Sequence, residues 1–175
     1  MKKLDILENQ VNKVYLSLGS NLGNKRKNLE YAKYLLISLG IKIEKSSNFY
    51  QTKSWPNKKF PDYLNIILLI YTNMSLTDLF YKVKYVENIL GRVKTLKNYP
   101  RTCDIDIIDF KGICTNKIYR NQKITVPHKR MHKRNFVLMP LYEINKRWKH
   151  PKIKKNIVNL IFDLPIKDLR SIKLV

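Results

Sequence analysis

Apolar positions along this chain alternate between strand and helix spacing, and each change of period marks an element. Val14 to Leu18 predicts a first strand, followed by Gly19-Ser20-Asn21-Leu22-Gly23-Asn24, a turn by composition. Leu29, Ala32, Leu35, Leu36 and Leu39 recur at helical spacing, and Gly40 is a natural stop. Ile41 to Tyr50 predicts a second strand, and Gln51 to Asp62, with Pro56 and Pro61, a long loop. Tyr63 to Thr72 is a nearly continuous apolar run, as expected of a buried central strand. Ser75-Leu76-Thr77-Asp78 is a helix-start box, and Leu76, Leu79, Phe80, Val83, Val86 and Leu90 carry that helix to Gly91. A basic loop, Arg92 to Pro100, leads to a fourth strand, Asp104 to Phe110. A short strand near Ile124 to Val126 and helices over Arg134–Asn145 and Ile157–Asp163 complete the pattern.

The order β-α-β-β-α-β is the ferredoxin-like arrangement. The expected fold class is α+β, with that core, an additional C-terminal strand and helices, and three α/β/α layers. A chain of 175 residues fits one domain, 1–175, with a core over about 14–148. Residues 1–12 and the last few are expected to be loosely held.

Charge narrows the partners. Lys and Arg number 35 against 13 Asp and Glu, a net charge of +22 that favours anions such as nucleotides, nucleic acid or acidic membrane surfaces. Heavy use of Lys, Asn and Ile is a compositional bias that supplies part of this excess. Cys103 and Cys114 are the only cysteines and form no Cys-x-x-Cys, which suits a reducing cytoplasm. Acids interrupt the apolar residues of Met1 to Glu8, so no signal peptide is expected, and Ile66 to Ile70 is far short of a membrane span.

In so basic a chain, Asp104-Ile105-Asp106 needs a reason. On a strand, residues i and i+2 share a face roughly 7 Å apart. A hard divalent cation would neutralise such a pair, and Mg²⁺ typically takes one or two carboxylates plus substrate phosphates. Arg101, just upstream, suits a phosphate oxygen. Taken alone, Asp-x-Asp also occurs by chance, or with one acid capping a turn. Strand parity puts Asp109 on the opposite face, as a structural acid. The Gly19 to Asn24 turn fails as a phosphate loop, because three residues separate its glycines and no Ser or Thr follows Lys25. It is expected to shape a site from behind. His128-x-x-x-His132 lacks the Glu of a metalloprotease motif, and His132 is expected at the surface.

Several segments act together: Tyr15-Leu16-Ser17-Leu18-Gly19-Ser20-Asn21-Leu22-Gly23-Asn24, Ser47-Asn48-Phe49-Tyr50-Gln51-Thr52, Pro61-Asp62-Tyr63-Leu64-Asn65, Gly91-Arg92-Val93, Pro100-Arg101-Thr102-Cys103-Asp104-Ile105-Asp106-Ile107 and Val126-Pro127-His128. With Phe136-Val137-Leu138 and Pro140-Leu141-Tyr142-Glu143-Ile144, they resemble the 6-hydroxymethyl-7,8-dihydropterin pyrophosphokinase family from about Val14 to Ile144. The resemblance implies a ferredoxin-like core and transfer of pyrophosphate from ATP to the hydroxymethyl group of the dihydropterin, with release of AMP. It implies two Mg²⁺ ions on Asp104 and Asp106, and a catalytic set of those acids with Arg92 and Arg101. ATP contacts implied are Glu87, Arg92, Lys94, Arg101, Lys123, Thr125, His128 and Arg134. Pterin contacts implied are Thr52, Asn65 at the pyrimidine edge, and Tyr63 and Phe136 about the ring. Trp55 lies in a departure from the family pattern, Lys53-Ser54-Trp55-Pro56, where it would cover the pterin. Lys94 and Lys123 stand where relatives often carry Arg, and Lys84 where some carry Gln; lysine keeps the charge but loses the fork. The expected partners are ATP and the dihydropterin, on a cytoplasmic monomer without membrane or nucleic acid. Two other readings share some features. One is a basic RNA-binding domain of the same strand order, although Tyr63 to Ile70 lacks that fold's aromatic motif. The other is a Mg²⁺-dependent nucleotidyltransferase, which would release pyrophosphate rather than AMP.

Overall fold

The structure, a computed structural model, describes residues 11–54, 57–91 and 99–175. Its elements are β1 (Asn12–Ser20), α1 (Lys25–Ser38), β2 (Lys42–Ser46), β3 (Tyr50–Thr52), β4 (Tyr63–Thr72), α2 (Leu76–Ile89) and β5 (Asp104–Phe110). Then come β6 (Thr115–Tyr119), β7 (Gln122–Val126), a 3-10 turn (Met131–Lys133), α3 (Asn135–Ile144), α4 (Ile157–Phe162), α5 (Ile166–Ser171) and β8 (Lys173–Leu174). The sheet runs β5-β1-β4, with β2 and β3 both on β4 and β8 on β3, and its pairings are antiparallel. This is the ferredoxin-like order.

Alternation along the central strands divides the core. Val14, Leu16 and Leu18 of β1 and Leu64, Ile66, Leu68 and Ile70 of β4 pack on Leu29 and Leu36 of α1 and Leu79, Val83 and Val86 of α2. On the other face, Tyr15, Ile67, Leu69 and Ile108 meet Val137, Leu138 and Leu141 of α3, Trp148, and Ile157 and Leu160 of α4. The result is three layers. Each fully buried aliphatic side chain contributes about 1.5–3 kcal/mol, so both faces hold the sheet. The helices start where their caps allow. Asn24 accepts from Lys27 N, and Ser75 accepts from Asp78 N while donating to Asp78 Oδ2 at 2.7 Å. Among the described residues, α3 and α4 cover the Tyr15, Ile67, Leu69 and Ile108 part of the second face, where the RNA-binding alternative would stack bases.

Four sequence expectations change. Ile41 to Tyr50 is not one strand, because Ser47 interrupts it. Its N–H donates to Ile67 O and its hydroxyl accepts from Ile67 N, both at 2.9 Å, so a side chain replaces a ladder bond between β2 and β3. The short strand near Ile124 is half of a hairpin whose other strand, β6, is too exposed and polar to show a period. Asp109 lies on the same face as Asp106, not the opposite one. A bulge places Tyr15 against Asp109 and Leu16 against Ile107, so Ile108 is the extra residue and parity flips beyond it. Asp109 is nevertheless structural, accepting from Trp148 Nε1 and Gly112 N at 2.8 Å each. Finally, the last residues are paired: Lys173 sits opposite Gln51, and Val175 N donates to Phe49 O at 3.0 Å.

His150 holds the turn after α3. Its Nδ1 accepts from Lys152 N and Ile153 N at 3.1 and 3.2 Å, and its ring centroid lies 5.6 Å from that of Trp148. Burial, the neighbouring His132 and then Lys152 push its pKa down to about 4. The unfolded chain therefore binds this proton more readily. His150's contribution is complete above its ordinary value near 6.5 and is lost as pH falls toward 4, by about 3 kcal/mol. Urea midpoints between pH 7.5 and 4.5 should fall accordingly, and His150→Asn, which keeps an acceptor, should flatten that fall. An equal slope in the variant would refute the assignment.

Candidate active site

The site begins with one row of residues across the sheet. Asp104 pairs with Gly19, Gly19 with Asn65, and Asn65 with Tyr50. With strands about 4.8 Å apart, Asp104 and Asn65 are held roughly 10 Å apart by backbone pairing alone. Gly19 is the gap between them. A Cβ there would stand 3.1 Å from Asn65 Oδ1 and 3.5 Å from Tyr63 Cδ1, so glycine leaves the row open for both side chains.

Asp104 and Asp106 lie on the α3 face, each with a side chain 31% exposed. Asp104 Oδ1 is 3.2 Å from Arg101 Nη1. Asp106 Oδ2 is 3.3 Å from Arg134 Nη1, at the start of α3, and 3.9 Å from His128 Nε2. Burial depresses the pKa of Arg101, but Asp104, Tyr63 and Glu87 more than offset it and raise it. For Arg134, burial prevails over Asp106 and lowers the pKa. His128 Nδ1 accepts from Arg130 N at 3.3 Å, which leaves its proton on Nε2, facing Asp106. Burial, helped by Arg134 and Arg130, lowers its pKa against the pull of Asp106. A neutral donor and two guanidinium groups thus converge on two carboxylates. These acids fit Mg²⁺ as hard oxygen donors with exposed lone pairs. Among the described residues no cluster of three or more His, Cys, Asp or Glu exists, so an ion here would complete its shell with phosphate oxygens and water.

Beside Asp106 a cavity of about 590 Å³ runs along the free edge of β5. Phe80, Ile105, Ile107, Ile124 and Val126 form its apolar wall, and Lys84, Lys123, Thr125, His128 and Arg130 its polar one. Lys123, Thr125 and His128 are therefore brought together at this cavity. Glu87 is not with them. It is fully buried, its Oε1 accepting from Ile105 N at 2.7 Å and its Oε2 2.8 Å from Lys84 Nζ. Lys84, one turn earlier, reaches the cavity in its place.

On the other side of Gly19, Asn65 Nδ2 donates to Thr52 Oγ1 at 3.1 Å and to Tyr50 O at 3.2 Å. Both amide hydrogens are engaged, so Asn65 Oδ1 is what this residue offers to a ligand. Phe136 lies in the first turn of α3, 5.4 Å from the Arg134 guanidinium. Sequence reasoning missed Asn21 as an individual residue. Its side chain accepts from Arg101 N at 2.8 Å and donates to Pro61 O at 3.3 Å, tying the entry of β5 to the loop before β4. The only hint was the polar turn that contains it. Phe60 and Tyr99, 5.4 Å apart, join the same two segments. Trp55, Arg92 and Lys94 lie outside the described residues. His132, expected at the surface, is half-buried with its ring 6.0 Å from that of His150.

A family model described as 7,8-dihydro-6-hydroxymethylpterin-pyrophosphokinase (HPPK) matches residues 15–146. The 2-amino-4-hydroxy-6-hydroxymethyldihydropteridine pyrophosphokinase of Aquifex aeolicus is 35% identical over 90% of this chain and 89% of its own length. The folic acid synthesis protein fol1 of Pneumocystis carinii is 33% identical over 91% of this chain. The chain spans only 21 to 23% of the length of this and two other such proteins. Among solved structures, a Plasmodium falciparum HPPK-DHPS variant with pterin and p-hydroxybenzoate matches with a TM-score of 0.73 at 14% identity, over 99% of this chain and 49% of the other. That likeness shows the fold.

The geometry around His128 sets a sign for its titration. Its ring should titrate below the ordinary histidine value. Asp106→Asn removes an anion and should lower that midpoint further; Arg134→Met removes a cation and should raise it. Ring ¹⁵N NMR across pH 4–8 reads both, and shifts of the opposite sign would overturn the arrangement.

Proposed function

Because the chain belongs to the 7,8-dihydro-6-hydroxymethylpterin-pyrophosphokinase family, we propose that it transfers pyrophosphate from ATP to the hydroxymethyl group of 6-hydroxymethyl-7,8-dihydropterin and releases AMP, a step of folate biosynthesis. The observation that carries this reading is the row Asp104–Gly19–Asn65, which sets an acidic pair and a heterocycle-reading amide about two strands apart.

Each side of the row has its task. Asp104 and Asp106 would hold magnesium, which when bound screens the phosphates and favours ionisation of the acceptor hydroxyl. Arg101, Arg134 and the His128 Nε2–H take the phosphate oxygens, and the cavity beside β5 receives the nucleoside. Asn65 Oδ1 accepts from the amino and ring N–H donors of the pyrimidine edge, and Tyr63 and Phe136 offer aromatic surface to the ring. The pterin hydroxyl oxygen forms a bond to the β-phosphorus of ATP as the bond from that phosphorus to the bridging oxygen breaks. That oxygen leaves on AMP, and the hydroxyl proton is released. Preorganised charge and placement do this work, since the protein forms no covalent intermediate. Arg92, Lys94, Lys123 and Thr125 are assigned to ATP and Trp55 to the pterin on the family pattern. No helix among the described residues is long and apolar enough to cross a membrane. We place the chain in the cytoplasm as a monomer.

Incubation with ATP, Mg²⁺ and the dihydropterin should yield AMP; release of pyrophosphate would instead mark nucleotidyl transfer. Asp104→Ala and Asp106→Ala should each lower turnover at least about a hundredfold with the fold intact by circular dichroism. Near-normal rates in both would reject the metal role. Asn65→Ala and Gly19→Ala should each weaken pterin binding about tenfold, by losing or displacing Oδ1, while ATP binding holds. Equal losses for both ligands would remove the row from the pterin site.

A further inference from the structure

We propose that Glu87 is a positioning residue which, through Ile105 and Lys84, couples the nucleotide cavity to the magnesium-holding strand; this rests on the pyrophosphokinase reading. Among the described residues, β5 ends the sheet order, next to β1. On its free side the Ile105 N–H meets Glu87 Oε1 at 2.7 Å. Ile105 stands between Asp104 and Asp106, so the peptide that Glu87 anchors orients both carboxylates. A helix side chain here does what a neighbouring strand would otherwise do.

The second oxygen completes the link. Glu87 Oε2 lies 2.8 Å from Lys84 Nζ, and Lys84 lines the cavity beside Asp106. Glu87 itself is 0% exposed and is not among the described residues that line the cavity. A carboxylate buried so completely is retained only with partners that satisfy it. Leu79, Val83 and Val86, buried on the same helix, fix where that carboxylate stands. Glu87 thus joins the residue that a nucleotide meets to the backbone on which the metal acids depend. Lysine suits this place because its ammonium can bond Glu87 and still present charge to the cavity.

The test uses the intact chain with Mn²⁺ as the spectroscopic probe, titrated by EPR in the presence of a non-hydrolysable ATP analogue. Glu87→Ala should weaken Mn²⁺ about tenfold, as loss of an outer support of metal ligands typically does, with pterin affinity unchanged. Glu87→Gln keeps an oxygen for the Ile105 N–H and should recover Mn²⁺ affinity to within about threefold. Glu87→Gln and Lys84→Met should each weaken the nucleotide analogue about threefold, and the double variant no further, since both break one link. Wild-type Mn²⁺ affinity in Glu87→Ala would overturn the proposal. So would a double variant whose loss is the product of the singles, or a parallel loss of pterin affinity that signals general loosening. Should Glu87→Ala not fold, Glu87→Gln and the double variant decide. EPR reads these outcomes whether or not turnover occurs, and AMP formation by the unaltered chain reports separately on the pyrophosphokinase reading.

Discussion

Asp104 and Asp106 stand two residues apart on one face of β5, and much of the site answers their repulsion. Unit charges roughly 7 Å apart repel by about 2 kcal/mol at an effective dielectric of 20, a large sum against the marginal stability of a domain. Arg101 meets Asp104, and Arg134 with His128 meets Asp106. These groups come from the entry of β5, the start of α3 and the segment after β7. Different parts of the fold are thus drawn to one end of one strand. The same groups suit a polyphosphate. On the proposed reading, a metal held by the acids would leave the cations that balance them to the phosphates.

The antiparallel order makes this economical. β1 lies between the acidic strand and β4, so its Gly19 is the only side-chain position separating Asp104 from Asn65 in their row. Backbone pairing sets that spacing, and loops do not. On the proposed reading, a hydroxymethyl group on a bicyclic ring held at Asn65 would have two strand spacings, roughly 10 Å, to cross to the acidic end. Asn21 then binds the entry of β5 to the loop before β4, so both halves of the site share one polar tie.

Much of this was legible in the chain. Helical spacing from Leu29 to Leu39 and from Leu76 to Leu90, and the apolar run of β4, carry the core because burial dictates them. The acidic pair was legible because few acids occur in so basic a sequence. What failed was local. The bulge at Ile108 reversed the face of Asp109, and a bulge leaves no mark in a run as uniformly apolar as Ile105-Ile107-Ile108. Ser47 broke a strand by substituting its hydroxyl for a backbone group, which composition cannot foretell. Glu87 has the side chain of a surface helix acid, and only the neighbouring strand edge reveals that it is buried.

Glu87 also bears on how the net charge of +22 should be read. A large positive excess raises the local concentration of anions in general. It does not choose where an anion stops. That choice falls to the scarce acids, and many of them are committed. Asp62 receives Gln51 and Lys53, Asp78 accepts from Ser75 at a helix start, and Glu143 receives Asn48 and Tyr50. Asp109 receives Trp148, and Glu87 receives Ile105 and Lys84. Surface lysines can accumulate at small cost because each is solvated, whereas losing one of these acids would strand a donor or a cation. On the proposed reading, specificity would therefore reside in the negative charges of this chain, and attraction in its positive ones.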